Sequence, residues 1–358
     1  FEKGKTMSHD KWMIYGANGY TGKIAAEQAV EKGRRPLLAG RSEVKVKPIA
    51  DALKLDYVIF DLANAVATEK ALADVDLVLH CAGPFSATSK PMVDACLKTK
   101  THYLDITGEI GVFEDIHGRD ADAKQAGVAL IPGVGFDVVP SDCLAALLAQ
   151  ELPDATHLEM AFCGEGGASP GTAKTMVEML GDGGRERIDG DIVKIGNGKY
   201  QKEINFSIGK RWCMTIPWGD VSTAFYSTGI ANIRIYTGVP KGAATTAKIL
   251  SPLMAVTKLG FIQNFLKAQI EKKVTGPNEK ERAEGSMNLW GKVTNAAGAS
   301  KEAYLDVSEG YGFTVMASLE VAERIMRDGI KAGSLTPSMA FGGKFVTELA
   351  GSKLQLLG

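Results

Sequence analysis

The chain has 358 residues, of which 45% are hydrophobic and 23% are charged, with 41 Gly and only 13 Pro. That composition excludes a disordered low-complexity chain, and collagen is excluded because glycine does not recur at every third position. The 41 basic and 42 acidic residues leave a net charge of −1, without the basic surplus typical of nucleic-acid binding.

The first 150 or so residues alternate short apolar runs with helical patterns. WMIYG (12–16), RPLLAG (35–40) and DLVLHCAG (76–83) are examples of runs that consist almost wholly of apolar residues. Such strands are typical of a parallel sheet that is covered by helices on both faces. The sequence therefore predicts an α/β protein that begins with a Rossmann-type doubly wound parallel sheet.

Beyond about residue 152 the alternation is replaced by patterns of paired strands. The turn sequence Gly196-Asn197-Gly198 predicts a hairpin over residues 191–206. SMNLWGKVTNAAG and EAYLDVSE form a second candidate antiparallel pair, after a long helical pattern over residues 243–272. These patterns predict a second α+β domain with a mixed sheet.

The sequence GANGYTG, residues 16–22, lies between the first predicted strand and the first predicted helix. In a dinucleotide-binding loop the three glycines permit a tight turn, an approach of backbone to the pyrophosphate, and close packing of helix on strand. The helix N-terminus then offers its N–H groups to the anion. The spacing GxxGxxG is less common than GxGxxG, so a glycine-rich turn that binds nothing is the alternative, and a P-loop fits less well.

The end of the second predicted strand distinguishes the two nicotinamide cofactors. An NAD-specific site has a carboxylate there, whereas this chain has Arg41 and Ser42. A guanidinium beside a hydroxyl suits a 2′-phosphate, which predicts NADP(H), unless Arg41 is a solvated surface residue. Asp61, which follows the third strand, is either an acceptor for the adenine amino group or a helix N-cap.

The cysteines and histidines do not suggest a metal site. Five cysteines are an odd number, they are widely spaced, and no CxxC or HExxH motif is present. Because this pattern is typical of a reducing compartment, we expect a cytoplasmic protein without disulfides. We also expect no transmembrane segment, since no uncharged run approaches the roughly 20 residues that a spanning helix needs.

Five strings in order resemble the saccharopine dehydrogenase-like family: GANGYTG, AGRS, CAGPF, HYLDITGE and PGVGFDVVPSD. The branch that the chain resembles most is the one grouped with trans-acting enoyl reductases. We expect residues 1–6 to be an expression remnant or an unremarkable leader. For the rest, the resemblance implies an NADP-binding domain over 7–152, a substrate and dimerisation domain over 153–310, and C-terminal helices over 311–358 that pack back on the first domain.

The resemblance also implies hydride transfer between the nicotinamide and a C=C bond of a lipid-like enoyl chain or a C=N bond of an imine. The alternative is a non-catalytic NADP-binding regulator. The residues that it places on the phosphates are Gly16, Asn18, Gly19, Tyr20, Thr21, Gly22 and Arg41. It places Gly83, Pro84 and Phe85 along the nicotinamide ribose, and the turn Gly135-Phe136-Asp137 at the cleft between the domains.

Reduction of a double bond needs a proton donor near the nicotinamide. The candidates are the titratable groups at or after the fifth and sixth predicted strands, namely His102, Asp105, Glu109 and Asp137. Asp137 could instead cap the next helix, and His102 could be a buried structural histidine. The sequence GASPG (167–171) resembles a serine hydrolase motif, but Pro170 after Ser169 has no N–H to offer an oxyanion.

The substrate itself is left open by the sequence. The apolar face predicted for the helix over 243–272 suits a core, a homodimer interface, a wall for an apolar substrate, or a peripheral membrane contact. A substrate that resembles saccharopine would need cations for its carboxylates. The available arginines in the second half are Arg185, Arg187, Arg211 and Arg234.

Overall fold

A computed structural model describes residues 11–164, 169, 171, 173, 177, 183–242 and 260–357. The expected N-terminal remnant and residues 243–259, more than half of the helix predicted over 243–272, lie outside the described residues. The expectations of a homodimer and of a peripheral membrane contact therefore stay predictions. Within the part of the chain that the structure describes, no helix combines the length and the apolar character needed to cross a membrane.

The N-terminal part alternates strands and helices. The strands are Trp12–Tyr15 (β1), Leu37–Gly40 (β2), Tyr57–Ile59 (β3), Leu77–His80 (β4), His102–Asp105 (β5) and Ala129–Ile131 (β6). The helices are Tyr20–Glu31 (α1), Glu43–Leu53 (α2), Ala65–Leu72 (α3), Phe85–Thr99 (α4), Ile110–His117 (α5), Asp120–Ala126 (α6) and Val139–Glu151 (α7).

These strands form one parallel sheet in the order β3-β2-β1-β4-β5-β6. Every residue of β1, β2 and β4 is buried, because helices cover both faces. The predicted Rossmann-type doubly wound sheet is thus confirmed. The strand order reverses between β1 and β4, and ligands of such sheets bind at the carboxyl ends of the strands at this point.

The second part is built around a mixed sheet. Its elements up to residue 308 are Ala155–Gly164 (β7), Gly184–Ile188 (β8), Asp191–Ile195 (β9), Gln201–Phe206 (β10), Gly209–Thr215 (β11), Asp220–Thr228 (α8), Asn232–Gly238 (β12), Gly260–Lys273 (α9), Glu279–Glu284 (α10), Ser286–Asn295 (β13) and Ser300–Ser308 (β14). β12 runs parallel to β7, whereas β13 pairs antiparallel with both β7 and β14. The predicted second α+β domain with a mixed sheet is confirmed.

The hairpin predicted over 191–206 is wrong. β9 pairs with β8, and β10 pairs with β11, so Gly196-Asn197-Gly198 joins two hairpins instead of closing one. The turn between β8 and β9 is Asp189-Gly190, with φ of 50° and 91°. A type I′ hairpin turn needs positive φ at both central residues, which makes Asp-Gly one of its favoured pairs. Two turn sequences lie within ten residues of each other, and the hairpin closes at Asp189-Gly190 instead of at Gly196-Asn197-Gly198.

The C-terminal part connects both sheets. Its elements are Gly310–Asp328 (α11), Gly333–Ser334 (β15), Pro337–Phe341 (α12), Phe345–Glu348 (α13) and Lys353–Leu357 (β16). α11 packs on α1, β15 extends the first sheet beside β6, and β16 pairs with β14 of the second sheet. The part predicted as helices alone thus includes two strands. β15 has only two residues, too few to show a strand period, and β16 is largely exposed, so it lacks the buried apolar run that indicates the other strands.

Helix α7 holds the two sheets together. It is buried along almost its whole length, so it lacks the polar face of a surface helix. Its Leu144 and Leu148 pack against Gly291 of β13, where an added Cβ would lie only 2.7 Å from Leu148 Cδ1. The first and second parts therefore share one hydrophobic core.

Candidate functional site

The loop of residues 16–22 is tightly packed between β1 and α1. Gly16 has a φ of 84°, and an added Cβ would lie 2.9 Å from the Cβ of Ala82. At Gly22 an added Cβ would lie 2.3 Å from the carbonyl oxygen of Gly16, so only glycine lets α1 start against the loop. Gly19 is the N-cap of α1 and has no side chain, which leaves backbone at the helix N-terminus accessible to an anion.

The side chains of this loop point in different directions. The Tyr20 hydroxyl donates a hydrogen bond to the carbonyl oxygen of Pro277 and accepts one from Arg282 Nη1 at 3.0 Å. The predicted phosphate contact of Tyr20 is therefore limited to its backbone. Asn18 Oδ1 lies next to Gly40 at the end of β2, and Thr21 is partly buried in the first turn of α1.

Arg41, Ser42 and Asp61 follow the carboxyl ends of β2 and β3. Arg41 and Asp61 line a cavity of about 560 Å³ that extends along α4 past Thr88. Ser42 is the N-cap of α2, and its side chain makes no capping hydrogen bond. The pKa of the nearby Tyr15 is raised to about 12, mainly by burial and also by the charge of Asp61, while the charge of Arg41 opposes the shift. A cation and a carboxylate thus face the same cavity.

The alternative role of Asp61 as a helix N-cap does not apply. The N-cap of α3 is Asn64, whose side chain accepts a hydrogen bond from the N–H of Ala67 at 3.1 Å. Asp61 Oδ1 accepts from the N–H of Ala63 at 3.0 Å within a local turn. Asp61 is exposed at the cavity and remains a candidate for the adenine amino group.

Helix α4 begins at Phe85 and contains Pro91 within its length. Pro84 is its N-cap, after a cis Gly83–Pro84 peptide bond. The carboxylate of Glu109 accepts hydrogen bonds from the N–H groups of Phe85 at 2.9 Å and of Ser86 at 2.8 Å. Because the first N–H groups of a helix lack intrahelical partners, this carboxylate explains why the helix starts here.

Glu109 was a candidate proton donor, but the structure places its two carboxylate oxygens on the backbone of α4. We expect Glu109→Gln to lower the free energy of unfolding by about 1–2 kcal/mol, because an amide oxygen cannot replace both acceptors. Chemical denaturation measures this loss, and Glu31→Gln on the exposed end of α1 is the matched control, with an expected change below about 0.5 kcal/mol. Equal losses in the two variants would contradict the capping role.

His102 lies at the amino ends of the parallel strands, on the side of the sheet away from the loop. It is the first residue of β5, and its Nδ1 accepts a hydrogen bond from the N–H of Ala129 at 2.9 Å. Burial lowers its pKa. The loop lies at the carboxyl ends of the parallel strands, whereas His102 lies at an amino end, so the structure does not bring His102 to the other candidate residues. The partly buried His102 therefore fits the alternative, a structural histidine.

Asp105 is the last residue of β5 and lies at the same carboxyl ends of the strands as the loop, but both of its carboxylate oxygens already have hydrogen-bond partners. Oδ1 accepts from the N–H groups of Thr107 at 3.0 Å and of Gly133 at 2.8 Å, and Oδ2 accepts from the Tyr103 hydroxyl at 2.7 Å. Burial raises its pKa to about 6, although these hydrogen bonds oppose the shift. Asp105 therefore joins the ends of β5 and β6.

Asp137 follows β6 at the same edge of the sheet as the loop. Its carboxyl group lies against Gly108, where an added Cβ would be 2.8 Å from Asp137 Oδ2. Its Oδ1 is buried and has no hydrogen-bond partner among the described residues, and burial raises its pKa to about 7. Asp137 does not cap α7, whose N-cap is Val138. Among the four candidates it alone has an oxygen without a partner in the described chain.

Aromatic side chains from both parts of the chain meet beside Asp137. The ring of Phe136 lies 5.9 Å from that of Phe162 on β7, and Phe162 lies 4.5 Å from Trp218. All three rings are only partly buried. We call these three residues the aromatic wall, an apolar surface of which one member, Phe136, directly precedes Asp137 in the chain.

The arginines that could bind substrate carboxylates do not come together at this wall. They are Arg185, Arg187, Arg211 and Arg234. Arg187 pairs with Glu114 at 2.8 Å, and Arg234 pairs with Glu186 at 2.6 Å. Arg185 and Arg211 each donate to the carbonyl oxygen of the preceding residue.

The described residues include no group of three His, Cys, Asp or Glu side chains that could hold a metal ion. All five cysteines are free thiols, and four of them are buried. Burial raises the pKa of the partly buried Cys81 thiol to about 12, so it is an unreactive thiol at neutral pH.

Comparison with known proteins identifies the first part of the chain. Residues 12–131 match the family model of the saccharopine dehydrogenase NADP binding domain. This segment contains the loop, Arg41, Asp61 and Glu109, and the match assigns NADP(H) as the cofactor of the domain. The resemblance predicted from the sequence is thus confirmed.

Similar proteins include a putative trans-acting enoyl reductase of Mycobacterium tuberculosis, 32% identical over 47% of this chain and 43% of that protein. A mouse saccharopine dehydrogenase-like oxidoreductase is 28% identical over 36% of this chain and 35% of that protein. The matches thus span less than half of the length of these relatives. Apo saccharopine dehydrogenase (L-Glu forming) of Saccharomyces cerevisiae has a similar fold over 97% of this chain and 99% of that chain, with a TM-score of 0.67 and 13% identity.

Proposed function

We propose that this chain, which carries a saccharopine dehydrogenase NADP binding domain, is an NADP(H)-dependent oxidoreductase that reduces the C=C bond of an apolar, enoyl-type substrate. The similarity to enoyl reductases and to a saccharopine dehydrogenase-like oxidoreductase supports the reaction class. The cleft beside Asp137 is the proposed place of reaction.

The residues at the first sheet fit the cofactor. At Gly16 and Gly22 an added Cβ would clash with Ala82 and with the carbonyl oxygen of Gly16, so these glycines provide the tight turn and the close packing of α1 that a dinucleotide-binding loop requires. Arg41 and Asp61 face one cavity with the charges that suit a 2′-phosphate and an adenine amino group. When bound, NADPH supplies a hydride.

Asp137 is the residue that we assign to proton transfer. Reduction of an activated C=C bond by hydride leaves a carbanion or enolate, which must take up one proton. A carboxyl group with a pKa of about 7 is protonated often enough at neutral pH to give that proton. Its Oδ1 atom without a partner in the described chain supports this role, which His102, Asp105 and Glu109 do not share.

The aromatic wall is the observation that carries the choice of substrate. Phe136, Phe162 and Trp218 present partly exposed apolar surface that begins at the residue preceding Asp137 in the chain, and such a surface suits an acyl chain. An imine made from amino acids would carry carboxylates, and two of the four candidate arginines, Arg187 and Arg234, are already paired with glutamates. The geometry therefore favours the enoyl substrate over the imine.

A screen of NADPH oxidation tests the proposal. We expect turnover with α,β-unsaturated acyl thioesters of increasing chain length, a falling KM as the chain lengthens, and weaker activity with NADH. Saccharopine with NADP⁺ is the comparison substrate and should give no measurable turnover. NADPH binding without turnover on any of these compounds would contradict the proposal and favour a non-catalytic NADP-binding regulator.

A further inference from the structure

Tyr20 joins the phosphate-binding end of α1 to the second part of the chain. It is the first residue of α1, directly after the N-cap Gly19. Its hydroxyl donates to the carbonyl oxygen of Pro277 and accepts from Arg282 Nη1 at 3.0 Å, and Arg282 also donates to the Pro277 carbonyl at 2.9 Å. One side chain thus links the proposed pyrophosphate site with residues more than 250 positions away in sequence.

The segment 276–285 is shaped to accept this ring. At Gly276, which has a φ of 80°, an added Cβ would lie 2.8 Å from Tyr20 Cε2. Asn278 begins α10 with a capping box, which fixes the helix that carries Arg282. The guanidinium of Arg282 also lies 5.9 Å from the centroid of the Tyr20 ring. Any shift of this segment relative to α1 must therefore break contacts with Tyr20.

A second contact extends the connection from Tyr20 to Tyr311 and Ser169. The ring of Tyr311 packs edge-on against Tyr20, with centroids 5.0 Å apart. The N–H of Tyr311 donates to Glu309, which fixes the start of α11. The Tyr311 hydroxyl accepts a hydrogen bond from the N–H of Ser169, at 2.5 Å. A continuous chain of contacts thus runs from Pro277 and Arg282 through Tyr20 to Tyr311 and Ser169, and it is here called the tyrosine link.

We propose that Tyr20 is a positioning residue that couples NADP(H) binding to the order of the segment 276–285. This inference rests on the proposed cofactor site, because the backbone of Tyr20 lies where the pyrophosphate is expected. A phosphate at the first turn of α1 restricts that turn, and the tyrosine link transmits the restriction to Pro277 and Arg282. By thermodynamic reciprocity, loss of the link weakens the effect in both directions.

Hydrogen–deuterium exchange of the full chain, with and without saturating NADPH, measures this coupling. In the unaltered protein we expect NADPH to slow amide exchange in peptides that cover 276–285 by at least about fivefold. In Tyr20→Phe the ring is retained and the hydroxyl contacts are lost, so the protection by NADPH falls below about twofold. Arg282→Met removes the Arg282 bonds to the Tyr20 hydroxyl and to the Pro277 carbonyl but keeps the bond from Tyr20 to Pro277, so the protection should lie between that of the unaltered protein and that of Tyr20→Phe.

Tyr57→Phe is the matched control, since the Tyr57 hydroxyl bonds Glu43 within the first part of the chain. It should retain the protection seen in the unaltered protein. A purely structural role of Tyr20 would change exchange equally with and without NADPH, and that result would overturn the proposal. Full protection in Tyr20→Phe, or NADPH binding without protection in the unaltered protein, would also overturn it, whereas absence of NADPH binding would overturn the cofactor site itself.

Discussion

Asp137→Asn is expected to lower kcat for enoyl reduction by about 100- to 10,000-fold, the usual contribution of a positioned proton donor. An amide has nearly the shape of the carboxyl group but cannot deliver the proton. The dissociation constant of NADPH should stay unchanged, because Asp137 lies after β6 and the loop lies after β1. Steady-state kinetics and a fluorescence titration with NADPH measure the two quantities.

The pH dependence gives a second, independent measurement of the same residue. Burial raises the pKa of Asp137 to about 7, and the protonated form is the active one in the direction of reduction. The rate should therefore be constant at low pH and fall as pH rises above about 7. The residual rate of Asp137→Asn should lack this fall, and Asp115→Asn on the exposed face of α5 should keep the original profile.

The raised pKa of Asp137 also makes the free energy of unfolding depend on pH, in a direction that can be predicted. The folded protein keeps a proton on Asp137 that the unfolded chain loses near the ordinary pKa of 3.8. The free energy of unfolding should therefore fall as pH rises from about 4 to about 7, and this contribution should be absent in Asp137→Asn. Asp105, whose pKa of about 6 gives a similar slope, is present in both proteins and cancels in the comparison. Identical pH profiles of stability would contradict the buried, protonated state of Asp137.

Arg41→Ala is expected to weaken NADPH binding by about 10- to 100-fold and to leave NADH binding unchanged. Hydrogen bonds to charged groups contribute about 1.5–3 kcal/mol, and only NADPH has the 2′-phosphate that would receive them. Titration of each cofactor against each protein gives the ratio of affinities. Arg327→Ala, which removes an exposed arginine paired with Asp328, is the control for a general loss of positive charge. An equal change for both cofactors would contradict the role of Arg41.

The loop between β1 and α1 was predictable from the sequence because the contacts that require its glycines are close by. The glycines at 16 and 22 are required by contacts within seven residues of sequence or with the adjacent strand, so their spacing indicates the loop. Similarly, strands that are apolar on both faces indicated the parallel sheet before its order was known.

Contacts between distant residues were not predictable in the same way. The start of α4 depends on Glu109, which comes from the loop after a different strand. The Tyr20 hydroxyl is bonded to Pro277 because the second part of the chain folds against α1. Neither partner shows a pattern in its own sequence neighbourhood, and only the packed structure reveals which groups meet.

The sequence by itself determined the class of the fold, which is a doubly wound sheet with a glycine-rich loop after β1 and a mixed-sheet second domain. It also predicts that Arg41 is the cation for the 2′-phosphate of NADP. Local sterics and the periodicity of apolar residues are enough for these conclusions. The tertiary structure alone decided among the four candidate proton donors, because burial and hydrogen-bond partners depend on neighbours from distant segments. His102, Asp105 and Glu109 have structural partners, whereas Asp137 keeps a buried oxygen without a partner in the described chain.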